Sequence, residues 1–231
     1  MRLAIATLIA VSALTAAPAA LAASSGPSSS GGGGGFDAPA PQTPKEIGRA
    51  AYNDGLRAMK KADKAAANAA KATDPRKQEK ATKQATSSYE RARDEFTVAV
   101  QNVGTMHEAW NGLGYSLRKL GNYPAALTAY DKALSLRPSY AEAIEYRGEA
   151  YLALNRVDDA KQAYLDLYAA DRKLADQLLV AMKTWVSQKR STSSEADAST
   201  VDALDQWVQE RAQIAGQTAS LTREGAGASW R

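Results

Sequence analysis

The chain has 231 residues, room for one medium domain with tails; 45% of them are hydrophobic, much of that Ala, and Phe occurs only twice. There is no Cys and a single His, which excludes disulfides, a thiolate nucleophile, thiolate metal sites and any multi-histidine metal cluster. A net charge of +4 is too small to imply a nucleic-acid partner, and an Ala-rich, charge-rich composition with scattered Tyr favours helices over sheets.

Residues 1–23 read as an export signal. Arg2 supplies the positive start, Leu3 to Leu14 an apolar run, and Ala20-Leu21-Ala22 a small-x-small cleavage site. The rival reading is an uncleaved anchor, since no charge falls between Arg2 and Asp37. Pro18 and the Ala, Thr and Ser content make the stretch weak for a span of about 20 strongly apolar residues. No Cys follows the run, so a lipid-anchored lipoprotein is excluded. Cleavage places the expected product in the bacterial periplasm or outside the cell. Residues 24–44 are mainly Ser, Gly, Pro and Ala, with five consecutive Gly at 31–35. They carry too little apolar surface to offset their ordering entropy and are expected to form a flexible tether.

A folded region is expected over 45–189. Its first part, 45–106, contains RAAYNDGLRAM around Gly55 and, later, YERARDEFTVAVQNVG with Tyr89, Ala92, Phe96 and Ala99. Between them, residues 62–87 hold strong helix formers on both sides of Thr73-Asp74-Pro75. Asp74 suits a helix N-cap and Pro75 the first helical position, so the insert reads as a lengthening of both helices. The resulting protruding hairpin is expected to be sealed by Ala62, Ala66, Ala69, Ala81 and Ala85. Lys60, Lys61, Lys64, Lys71, Arg76, Lys77, Lys80 and Lys83 meet only Asp63, Asp74 and Glu79 in that stretch, a local charge excess of +5. Such a run is ordinarily a solvated face. Its functional reading is contact with an anionic envelope polymer or lipid headgroups. The lack of interleaved aromatics and the export signal argue against nucleic acid.

At the centre, 107–140 carries Trp110, Leu113, Gly114, Gly121, Tyr123, Ala126, Tyr130, Ala133 and Pro138. A shift of 34 residues sets Trp110 on Ile144, Gly114 on Gly148, Ala126 on Ala160 and Tyr130 on Tyr164, so 141–174 is a second copy of the unit. Gly55 and the Tyr89-to-Ala99 series stand at the same offsets in 45–106, interrupted by the insert. This period and pattern resemble the tetratricopeptide repeat (TPR), a helix–turn–helix unit. The spacings Thr105 with Glu108 and Ser139 with Glu142 predict capping boxes. Gly121 suits a left-handed helix end and Pro124 the start of the next helix. Gly114 and Ala126 clear space where two helices cross; Trp110, Leu117, Tyr130 and Leu134 fill the gaps.

Beyond the repeats, Leu174, Leu178, Ala181, Met182 and Trp185 form one face of a capping helix over 174–189. A polar linker, 190–199, precedes an amphipathic helix over 200–215 with Val201, Leu204, Val208 and Ala212 on one face and Trp207 beside it. That helix either caps the stack or lies in the groove. Residues 216–231 are expected to be a disordered tail.

The fold class that follows is all-α: a TPR-like α-solenoid of antiparallel helix pairs with a long inserted helical hairpin and C-terminal capping helices. The resemblance implies a concave face lined by the first helix of each pair, which binds a segment of another protein and does no catalysis. Carried over by offset, the groove comprises Tyr52, Asn53 and Leu56, then Glu108, Asn111 and Tyr115, then Glu142, Glu145, Tyr146 and Glu149. The family's clamp for the acidic C-terminus of heat-shock chaperones needs cations where Glu142 and Tyr146 stand, and is not supported. Two readings of the carboxylates stand. One is recognition of a basic or neutral partner segment, aided by Tyr stacking; the other is an ordinary solvated face. An acid–base pair of Glu145 with Glu149, or His107 paired with Glu108 or Glu142, lacks any accompanying nucleophile motif, phosphate loop or metal spacing. No enzyme activity, cofactor or metal is therefore expected.

Overall fold

The computed structural model describes residues 41–192 and 195–227, all within the unit Pro41–Arg231. The stretch read as an export signal, the segment read as a tether as far as residue 40, and the last four residues of the chain's expected tail lie outside the described residues. Among these there are eight helices and no strand: α1 (Pro44–Lys71), α2 (Pro75–Asn102), α3 (His107–Lys119), α4 (Tyr123–Leu136), α5 (Ala141–Ala153), α6 (Val157–Ala170), α7 (Arg172–Arg190) and α8 (Glu195–Gly227). Each odd-numbered helix packs on the even one that follows, and each pair packs on the next. The odd helices also touch in series, α1 to α3 to α5 to α7. The result is a solenoid of helix pairs.

Local chemistry explains most helix ends. Thr43 and Glu46 close a reciprocal capping box at the start of α1, with Thr43 N donating to Glu46 Oε2 at 2.8 Å and Glu46 N to Thr43 Oγ1 at 3.3 Å. Asp74 caps α2 by accepting from Arg76 N at 2.9 Å, with Pro75 in the first turn. Gly121, at φ +81°, turns the chain between α3 and α4. Asn155, at φ 57°, does the same between α5 and α6, because Asn tolerates the left-handed region better than other non-Gly residues. The capping boxes expected at Thr105 and Ser139 do not form. Helices α3 and α5 begin one residue later than those boxes require, with Met106 and Tyr140 as N-caps that have no side-chain bond. Backbone turns, Met106 N to Val103 O and Tyr140 N to Arg137 O, both 3.1 Å, shape these entries instead. Glu108 and Glu142 stay in the first turns, where the helix dipole favours a negative charge.

The core follows the repeat. Ala126, Tyr130, Ala133, Ala160 and Tyr164 have no exposed surface, while Leu113 is buried to 9% exposure. Trp110 is partly buried and donates its indole N–H to Gly104 O at 2.8 Å, and Pro138 sits exposed in the α4–α5 turn. A Cβ on Gly114 would come within 2.6 Å of the Tyr130 ring, so the glycine is what lets α3 and α4 cross over that ring. Gly55 stands in the same relation to Phe96, at 2.8 Å, and so carries the unit's geometry into the first pair despite the insert. Gly148 departs from this pattern by facing Leu178 of α7 at 2.7 Å. Tyr164 meets Trp207 of α8 edge-on instead, with 5.2 Å between ring centroids.

Three further expectations change. The hairpin is sealed by Ala62, Ala65, Ala69 and Ala85, with Ala66 and Ala81 only partly buried. The inward stripe of α1 runs 51, 55, 58, 62, 65, 69, which selects Ala65 over Ala66. The third unit closes early, because Asp171 is both the C-cap of α6 and the N-cap of α7, accepting from Leu174 N at 3.1 Å. Helix α7 therefore starts at Arg172 and buries Ala175, Leu178, Leu179, Met182 and Val186, leaving Leu174, Ala181 and Trp185 partly covered. Helix α8 starts inside the expected linker, five residues before position 200, and continues through Gly216 to Gly227. Its Val201, Leu204 and Val208 join the core of the last repeats, and Arg190 ties it to α7 through Asp202 and Asp205 at 3.1 and 2.9 Å. It completes a fourth pair.

Candidate functional site: the face of the first helices

Helices α3, α5 and α7 line an open pocket of about 750 Å³. Its walls are Tyr115, Arg118 and Lys119 from α3, Glu145, Tyr146 and Glu149 from α5, and Lys173, Asp176, Gln177 and Val180 from α7. Among the described residues no α8 side chain lines it, in keeping with that helix's place at the end of the stack. Val180 is 61% exposed, an apolar side chain set at the mouth without cover.

Tyr115 and Tyr146 line the pocket, and Tyr115 is anchored through a carboxylate that it shares with Tyr89 behind it. The Tyr115 hydroxyl donates to Asp63 Oδ1 at 2.8 Å, and the Tyr89 hydroxyl donates to the same oxygen at 2.6 Å. Asp63 lies on α1 within the inserted stretch, so the insert reaches into the site. Burial first, then the bond to Asp63 and its charge, push both phenols well above their ordinary range. Tyr146 lies edge-on to Tyr115 with centroids 5.0 Å apart. The Arg118 guanidinium stacks over both rings, 5.3 Å from Tyr115 and 5.4 Å from Tyr146, and pairs with Glu149. Its side chain is 10% exposed, and its Nε is buried without a partner.

Glu145 is buried at 3% exposure with Glu149 as its hydrogen-bonding neighbour, while its Oε2 has no partner. Burial, reinforced by the neighbouring Glu149 carboxylate, pushes its carboxyl from 4.5 up to about 8, with Arg118 and Lys119 opposing. At neutral pH Glu145 is largely uncharged. A carboxyl whose folded-state value is raised favours folding most below its unfolded value, and that contribution is lost as pH rises from about 4.5 through about 8. Glu145→Gln is therefore expected to melt like the parent at pH 5 and higher than the parent at pH 8.5. Thermal melts at the two pH values check this, and an equal offset at both contradicts it.

Not all the residues read from sequence meet at the pocket. Tyr115, Glu145, Tyr146 and Glu149 are brought together there. Glu108, Asn111 and Glu142 lie nearer the starts of α3 and α5, beside Tyr140 and Tyr52. Tyr140's hydroxyl is pushed up to about 12, by burial first and then by Glu142, Tyr52 and Glu108, with Asn111 opposing. Tyr52 packs on Phe96 at 6.0 Å, Leu56 is partly buried against the first core, and Asn53 is exposed. Of the carboxylates read as a groove lining, Glu142 is exposed, Glu108 half-exposed, Glu149 committed to Arg118 and Glu145 buried. His107 is engaged on both sides, by Glu108 at Nδ1 and Arg137 at Nε2, each 3.2 Å. Sequence reasoning missed Arg118, Lys119, Asp63 and the whole α7 wall. The face of α3 read at 108, 111 and 115 continues by helical spacing to 118 and 119, which would have found the first two. The α7 wall, at 173, 176, 177 and 180, is 31 positions beyond its α5 counterparts, so a strict 34-residue step misses it.

Of the hairpin cations, Lys60, Lys61, Lys64, Lys71, Arg76, Lys77, Lys80 and Lys83 are all exposed. Among the described residues only Lys83 has an ion-pair partner, Glu79 at 2.7 Å. Also among the described residues, no three His, Asp or Glu side chains are grouped so as to hold a metal, and no helix is long and apolar enough to cross a membrane.

Residues 107–140 match the family described as tetratricopeptide repeat. The fold is accordingly a TPR-like solenoid. Among solved structures, the first TPR domain of Spaghetti (RPAP3) bound to the HSP90 peptide SRMEEVD is 18% identical, covers 58% of this chain and 94% of its own, and has a TM-score of 0.41. The TPR2B domain of yeast Sti1 in a pHsp70 complex is 16% identical, covers 66% of this chain and 98% of its own, and has a TM-score of 0.32. No curated protein matches the chain.

Proposed function

We propose that this protein is a non-catalytic scaffold or adaptor that holds a segment of another protein along the face built by α3, α5 and α7. The observation that carries the reading is the open pocket between those helices. One of its two tyrosines, Tyr115, is fixed by Asp63, and Val180 stands at its mouth as an uncovered apolar side chain. An exposed apolar side chain beside anchored tyrosines and charged walls suits a peptide segment that offers both apolar and polar groups. An acid–base role for Glu145 and Glu149 fits poorly, because Glu149 is tied to Arg118. His107 is likewise engaged, by Glu108 and Arg137. Export to the periplasm or cell envelope is part of the proposal and rests on Arg2, the apolar run after it and the small-residue site that follows.

Panning a random peptide library against the full chain tests the groove. Selected peptides are expected to lose tenfold or more in affinity on Tyr146→Ala and on Lys119→Glu, with the far-UV circular dichroism of both variants unchanged. Peptides indifferent to both substitutions would place binding elsewhere and end this reading.

A second reading, an adaptor that contacts an anionic envelope polymer or lipid surface, is favoured by the exposed and almost wholly unpaired cations of the α1–α2 hairpin. Co-sedimentation with phosphatidylglycerol vesicles, lost when Lys71, Arg76 and Lys77 are reversed to Glu, supports it. Equal sedimentation of parent and variant removes it.

A further inference from the structure

The face of the first helices is electrically two-ended. At the starts of α3 and α5, Glu142 is exposed and Glu108 is 42% exposed. Between them Asn111 is 8% exposed, and its Oδ1 is buried without a donor. The nearby cation, Arg137, is engaged by His107 Nε2 at 3.2 Å and stacked on Tyr140 at 5.5 Å. This end offers acceptors and negative charge. At the pocket, which neither Glu108 nor Glu142 lines, Lys119 from the last turn of α3 and Lys173 from the first turn of α7 share the wall, both exposed. Among the described residues neither has a carboxylate within ion-pair distance. Glu149 is consumed by Arg118, Glu145 is buried, and Asp176 is the remaining open carboxylate of the pocket wall. The unpartnered atom there is a donor, Arg118 Nε, on a side chain nine-tenths buried.

We infer that the groove takes a dipolar segment of a partner protein, with the segment's basic residues at the Glu108–Glu142 end and its acidic residues at the Lys119–Lys173 end. The inference rests on the groove reading and adds the charge order of the occupant. A uniformly basic segment would meet Lys119 and Lys173, and a uniformly acidic one Glu108 and Glu142. Repulsion at one end then offsets attraction at the other. Glu108 and Lys119 are eleven residues apart on one helix, about 17 Å at 1.5 Å per residue. An extended segment covers that distance in about five residues, so both charge blocks fit in a peptide of nine.

The test is fluorescence anisotropy on the full chain with three labelled nonapeptides: Lys-Lys-Lys-Gly-Ser-Gly-Glu-Glu-Glu, its reversed order, and an alternating Lys/Glu peptide of the same composition. At least one block peptide is expected to bind tenfold or more tighter than the alternating one. The pair Glu108→Lys with Glu142→Lys, and the pair Lys119→Glu with Lys173→Glu, are each expected to abolish that preference. All four substitutions together are expected to restore it for the block peptide of opposite order. These sites are surface positions, and circular dichroism confirms folding. No binding of either block peptide, or binding equal to the alternating peptide, overturns the dipolar assignment. The library-selected peptides and Tyr146→Ala report separately on whether the groove itself is used, so the two failures are distinguishable.

Discussion

Phe96→Ala is expected to lower the unfolding free energy by about 3–5 kcal/mol, the range for truncating a fully buried Phe. The ring has no exposed surface and is gripped from two repeats at once. A Cβ on Gly55 of α1 would come within 2.8 Å of it, and one on Gly112 of α3 within 2.5 Å. Two glycines have thus been spent to admit one side chain, and neither can move in to fill the space it leaves. Tyr52, 6.0 Å away in the same cluster, loses its ring partner as well. Urea titration followed by circular dichroism reads the loss directly. A midpoint shift worth less than about 1 kcal/mol, the scale of a minor surface substitution, would mean that Phe96 is not the pin between the first two units.

Arg118→Ala is expected to be comparably damaging, about 3–5 kcal/mol by analogy with other buried pairs broken from one side. The reason is electrostatic. Glu149 loses its counter-charge beside Glu145, which already resists ionisation, and the two stacked rings lose the cation that covers them. Arg118 opposes the rise of Glu145, so its removal should lift that carboxyl further and extend the alkaline loss of stability to higher pH. The deficit should therefore be smaller at pH 5, where carboxyls protonate more readily, than at pH 8. Equal deficits at both would assign the loss to packing. Arg118→Ala combined with Glu149→Gln should recover part of it, since the orphaned charge is then gone.

The repeat geometry was legible because it is local. Gly114 and Tyr130, Gly55 and Phe96, Asp74 and Pro75, and Gly121 each act within a helix pair or a turn, at fixed offsets along the chain. The caps misread at Thr105 and Ser139 show the limit of spacing alone, since a helix that begins one residue later leaves S/T-x-x-E out of register. The charge of the groove was less legible for a different reason. Which carboxylates face outward depends on where Arg118 ends up, and its partner Glu149 is 31 residues away in the next unit. Once that pair forms and Glu145 is buried, a row of three acids on α5 leaves one, Glu142, freely exposed. The α7 wall was missed because Asp171 caps two helices and shortens the last unit.

The single carboxylate oxygen of Asp63 that receives both Tyr89 and Tyr115 makes the added stretch of α1 and α2 a buttress. Tyr115 and Leu120 also rest against the alanine seam of that hairpin. Trimming the added stretch would take Asp63 away from both tyrosines and slacken the pocket wall one helix removed. Longer arms, here, stiffen the hand.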